Sequence, residues 1–64
     1  MPTVKKAFLI RDRRIEGVVR LDKVEGIFYV TIDFEDEIEV ELATRSYDRA
    51  SEVFEEVREH LCGV

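Results

Sequence analysis

Residues 18–42 read VVRLDKVEGIFYVTIDFEDEIEVEL, and their pattern decides the fold. Apolar and charged side chains alternate almost without a break. That period of two marks strands with one face buried and one free. The chain to the left of this stretch, VKKAFLIRDRRIEG, has the same strand character. The chain to its right, from Ser46, changes period. Its apolar residues Tyr47, Ala50, Val53, Phe54, Val57 and Leu61 recur every three or four positions, which is the spacing of an amphipathic helix. Ser46 is placed to cap that helix. Asp48 lies in its first turn, where the helix dipole favours an anion, and Gly63 follows as a C-cap.

The expected architecture is α+β: a two-layer ββββα domain over residues 1–64. A four-stranded antiparallel meander is covered on one face by a C-terminal helix. The strands are expected at about 4–11, 14–21, 24–33 and 37–43, and the helix at about 46–62. Turns are expected at Asp12-Arg13, at Asp22-Lys23 and at Phe34-Glu35-Asp36. With those turns, Ile10 opposes Ile15, Phe8 opposes Gly17, Gly17 opposes Phe28, and Ile32 opposes Ile38. The inner face then holds Phe8, Ile10, Ile15, Val19, Phe28, Val30, Ile32, Ile38, Val40 and Leu42. Gly17 would sit bare between the rings of Phe8 and Phe28, or else mark a bulge.

The same register lays out the outer face. Ala7, Val18, Ile27 and Ala43 form one row, and Leu9, Glu16, Tyr29 and Glu41 the next. Ala7, Leu9, Val18, Ile27 and Tyr29 are the expected contact patch, because a solvated sheet face is usually more polar. Glu37, Glu39 and Glu41 are expected to line the fourth strand outward and blunt its edge.

Composition bounds the function. A chain of 64 residues makes one small domain that is marginal as a monomer, which favours self-association through an edge, the outer face or the helix side. One cysteine and one histidine give no intrachain disulfide and no four-ligand zinc site. An Asp33/Glu37 pair has hard-cation chemistry, but such hairpin-end pairs are ordinarily solvated, and no metal is expected. His60 and Cys62 have no partners positioned for nucleophilic chemistry, and the isolated glycines make no phosphate loop. No enzyme, cofactor, small-molecule substrate or membrane partner is expected. The N-terminus carries no secretory pattern, so a cytoplasmic location is expected. Asn and Gln are absent, and Glu supplies 10 of 15 acids. That is a thermophile-like composition. Designed proteins also lack these amides, but the excess of Arg over Lys and the lone thiol favour a natural thermophile.

Charge is split along the chain. Residues 1–23 hold seven bases against three acids, and residues 24–64 hold three bases against twelve acids. Two readings follow. The leading one is a non-enzymatic protein-interaction module, a homodimer or a subunit of a larger complex, that uses the outer sheet face. The alternative is single-stranded nucleic-acid binding. A dimerising ββββα unit resembles, in topology, the single-strand-binding folds of the Whirly type, in which the free sheet face holds the strand with aromatic and basic residues. That resemblance implies Tyr29 as the stacking platform, with Lys5, Arg11, Arg14, Arg20 and Lys23 around it. The pI of about 4.8 weighs against it.

Overall fold

The computed structural model describes residues 3–34 and 37–62. Four antiparallel strands form one sheet in chain order: β1 (Thr3–Arg11), β2 (Arg14–Val24), β3 (Ile27–Phe34) and β4 (Glu37–Thr44). A single helix, α1 (Tyr47–Cys62), follows and packs on one face of that sheet. The expected ββββα architecture is therefore present. Gly63, the expected C-cap, lies outside the described residues.

The helix starts as its sequence dictates. Thr44 Oγ1 accepts the Ser46 N–H at 3.1 Å, which turns the chain out of β4. Ser46 Oγ then accepts the Arg49 N–H at 3.2 Å, and the Ser46 carbonyl accepts the Ala50 N–H at 3.0 Å. The first of these helix bonds is an N-cap that satisfies a donor the helix leaves free. Ser46→Ala should therefore cost about 1 kcal/mol. In a domain this small that lowers the melting temperature by roughly 4–8 °C, readable by circular dichroism. An unchanged melt would mean that the cap carries no weight.

The core is where the helix stripe meets the two central strands. Val19, Leu21, Val30 and Ala50 are fully buried, and Phe54 and Leu9 nearly so. Ala7, Phe28, Ile32, Leu42, Val53 and Val57 pack around them. At the helix start, Tyr47 meets Phe28 edge-on, with 5.5 Å between ring centroids. Lys5 closes this corner. Its Nζ donates to Ser51 Oγ at 2.8 Å and lies 5.7 Å and 5.9 Å from the Tyr47 and Phe54 ring centres. The long lysine stem covers apolar surface while its charge faces the negative ring faces.

The first turn is at Asp12-Arg13, as expected, with φ of 52° and 67°. Positive φ at both central residues matches the twist of the flanking strands in a two-residue hairpin. The second turn is not at Asp22-Lys23. It lies at Glu25-Gly26, with φ of 50° and 80°, and β2 runs on to Val24. Gly26 is the residue that makes this position preferable, since glycine takes positive φ without a Cβ penalty. Phe34 belongs to β3 rather than to a three-residue loop. It pairs with Glu37; Glu35 and Asp36 of the expected turn lie outside the described residues.

Two irregularities change the faces of the edge strands. Ile10 pairs with Ile15, but Leu9 pairs with Gly17, so β2 holds an extra residue at Glu16. In β4 the pairing passes from Thr31↔Val40 to Val30↔Leu42, which leaves Glu41 as the extra residue. Each is a β-bulge, and each moves the side chains beyond it to the other face. Leu9 and Ala7 therefore point to the helix, contrary to the sequence expectation. Phe8, Ile10, Ile15, Ile38 and Val40, expected inside, point away from it. Gly17 does lie under bulky neighbours, but they are Leu9 and Phe34, not Phe8 and Phe28. A Cβ built on Gly17 would stand 3.0 Å from Leu9 Cδ1 and from Phe34 Cδ2.

Candidate interaction surface

The uncovered sheet face follows from the corrected register. Cross-strand partners share a face. One row across the sheet is Phe8, Val18, Asp33 and Ile38, and the next is Lys6, Arg20, Thr31 and Val40. A third holds Asp22, Tyr29 and Ala43, and Val24 pairs with Ile27 beyond it. Ile10 and Ile15 close the far end.

This face is strongly apolar. Ile10, Ile15 and Ile38 are 68%, 64% and 68% exposed, Val40 is 57% and Phe8 48%. Single exposed aliphatic residues are ordinary, but these gather in two groups, Phe8, Ile10, Ile15 and Val18 on the β1–β2 half and Ile38 and Val40 on β4, with Asp33 and Thr31 between them. Of the expected contact residues, Val18, Ile27 and Tyr29 lie on this face. Ala7 and Leu9 do not, because Leu9 is 6% exposed within the core. Phe8, Ile10, Ile15, Ile38 and Val40 stand in their place. Only the bulges separate the two sets; Gly17 is the sequence sign of the one at Glu16, and the one at Glu41 has no such sign.

The charges on the face balance. Lys6 and Arg20 oppose Asp22 and Asp33. Arg20 Nε approaches Asp22 Oδ2 at 3.7 Å, and it has no hydrogen-bond acceptor among the described residues. Lys6 lies over the Phe8 ring at 5.8 Å.

The cations expected to track a nucleic-acid strand are dispersed. Lys5 is on the helix side, held by Ser51. Lys23 is also on that side, over Phe28 at 5.5 Å. Arg11 and Arg14 pair with each other at the tip of the first hairpin. Of the six named contacts, only Arg20 and Tyr29 share the middle of the outer face, and Arg20 is beside Asp22.

A second opening lies on the helix side. Past Ile32 the helix no longer covers the sheet, and a groove remains between its last turns and the β3–β4 end. One lobe, of about 600 Å³, is lined by Ile32, Phe34, Leu61, Glu37 and Glu39, with Ile38 at its lip. A second lobe, of about 420 Å³, continues along Val57 and His60 to Glu41 and Glu56. Glu37 and Glu39 thus flank the helix-side groove, since they pair with Phe34 and Ile32. This is contrary to the outward placement expected from the sequence pattern.

Asp33 and Glu37 are not a cross-strand pair: Asp33 pairs with Ile38 on the outer face. Among the described residues no group of three metal-ligating side chains occurs, and no helix is long and apolar enough to cross a membrane. Comparison of the chain with protein-family models, with curated proteins and with solved structures gave no match.

Proposed function

We propose that the protein is a non-enzymatic interaction module that pairs with a second copy of itself through the outer sheet face. The observation that carries this reading is the row of outward apolar side chains, Phe8, Ile10, Ile15, Val18, Ile38 and Val40. A domain this small gains most from covering them. Charge points to a second copy as the cover. The chain carries a net charge of −5 and so repels itself, but this face is neutral.

Orientation follows from the two edges. On the outer face β1 presents Lys6, and Asp33 lies on β3 toward the β4 edge. A two-fold axis parallel to the strands lays β1 of one copy over β4 of the other. Lys6 then approaches the half of the partner's face that holds Asp33. Unlike rims meet, which fixes register more than it adds affinity.

Area sets the strength. Four strands at ~4.8 Å spacing and about eight residues of ~3.4 Å each project roughly 500 Å². Side-chain relief raises that figure, yet a stable interface takes about 800 Å² per partner. The whole face must be used, and the dimer falls at the weak end of specific interfaces.

Sedimentation equilibrium over a range of concentrations tests the reading. The wild type should move from the 7.5 kDa chain mass toward twice that value. Val40→Lys places a cation opposite the partner's Lys6 and should weaken the dimer by at least ~10-fold. Its circular dichroism should not change, because Val40 is 57% exposed on the face away from the helix. A wild type that stays monomeric at every concentration defeats the proposal, as does an unshifted dimer in the variant. Salt-sensitive binding of single-stranded DNA by a monomer would favour the nucleic-acid alternative.

A further inference from the structure

The groove beside the helix has no counterpart in the dimer, because it opens on the opposite side of the sheet. Its floor is apolar. Phe34 and Leu61 are each more than a third exposed there. Its rim is acidic. Glu39 and Glu41 stand on the β4 side and Glu56 on the helix side beside His60, and among the described residues no lysine or arginine lines either lobe. An apolar trough with carboxylates on both sides disfavours anionic ligands. It matches a chain segment that offers apolar anchors on one face and positive charge on both flanks.

We propose that this groove is a docking site for a cationic amphipathic segment of another protein. Large apolar side chains of the segment fill the space over Phe34 and Leu61. Its flanking lysines or arginines meet Glu39 and Glu41 on one side and Glu56 on the other. This is helix-in-groove recognition, in which buried anchors supply affinity and the charged rim supplies orientation and on-rate. The expected occupant is a helix because the two walls are a strand and a helix standing apart, not a free sheet edge alone. The rim contacts are solvent-exposed, so the affinity falls as salt rises.

A synthetic peptide of leucine and lysine set at helical spacing is the probe, followed by fluorescence anisotropy and by two-dimensional amide NMR of the full chain. Saturable micromolar binding is expected at low salt, weakening several-fold at moderate salt. Amide shifts should centre on Ile32, Phe34, Glu39 and Leu61. Glu39→Lys and Leu61→Ser should each lower the affinity at least ~10-fold. Glu25→Lys makes the same charge change at the distant β2–β3 turn and should bind as the wild type does. Equal binding of a lysine–serine peptide would overturn the proposal by showing attraction of charge alone. Equal losses in Glu25→Lys and Glu39→Lys would overturn it in the same way. Shifts centred on Val18 and Val40 would move the site to the outer face, and absence of saturable binding would remove it.

Discussion

Phe54→Ala should destabilise the fold by about 3–5 kcal/mol. Phe54 is 2% exposed and is the only large aromatic ring among the buried core residues. It stands midway along the helix and reaches the cluster of Leu9, Val19, Leu21 and Val30. Truncating a buried phenylalanine costs about 3–5 kcal/mol, part from lost transfer free energy and part from the cavity. A domain of this length has a total stability of roughly 3–10 kcal/mol. The loss therefore takes a third of the stability at best and all of it at worst. Denaturant unfolding followed by circular dichroism, at fixed protein concentration, measures this directly. Concentration must be held constant because self-association would add to apparent stability. A loss below about 1 kcal/mol would mean that the helix is not seated on the sheet through this ring.

The second large effect is expected at Gly17. A Cβ there would meet the Asp33 carbonyl oxygen at 2.7 Å as well as the two side chains above it. Leu9 and Phe34 could rotate aside, but the carbonyl belongs to the backbone of β3. It could yield only if the two central strands moved apart. Gly17→Ala should thus cost about 1–3 kcal/mol, the range for overpacking a close contact. Gly26→Ala provides the contrast. Nothing lies within 4 Å of its Cβ, so only the strain of φ +80° remains. Chemical denaturation of both variants should rank Gly17→Ala as the more damaging. The reverse order would place the close contact elsewhere.

The central strands and the helix were readable in the sequence because period carries them. Val19, Leu21, Val30 and Phe54 fall where simple alternation and a spacing of three or four put them. Even the misplaced second turn did no harm to their faces. Moving it from Asp22-Lys23 to Glu25-Gly26 changed the partner of Leu21 from Val24 to Val30. That is a shift of six positions, and an even shift keeps a side chain on its own face. The glycine at 26 was the available clue to the turn.

The edge strands were not readable in this way. In β1 the run Ala7, Phe8, Leu9, Ile10 is apolar at every position, so alternation cannot choose its face. Pairing with β2 makes the choice, and the bulge at Glu16 reverses it. In β4 the alternation is regular, but the bulge at Glu41 splits it. Leu42 is turned inward and Val40 outward, although the two are only two positions apart. The make-up of the outer face depends on these two edges, which is why two of the five residues expected there, Ala7 and Leu9, lie on the helix side instead.

The bulges also bear on fibril formation. A new strand can add to a sheet edge only where donors and acceptors keep an even spacing. On β4 that spacing is interrupted at Glu41, which leaves a short regular run on either side. On β1 the pairing shifts only between Thr3 and Lys5 and where Leu9 passes to Ile10, and the latter extra residue belongs to β2. The longer even edge is therefore β1, from Lys5 to Arg11, the strand whose side chains are lysine, arginine and large apolar groups. Cross-β growth has one usable end on this molecule, and its growth there is opposed by repulsion between like charges stacked on successive copies.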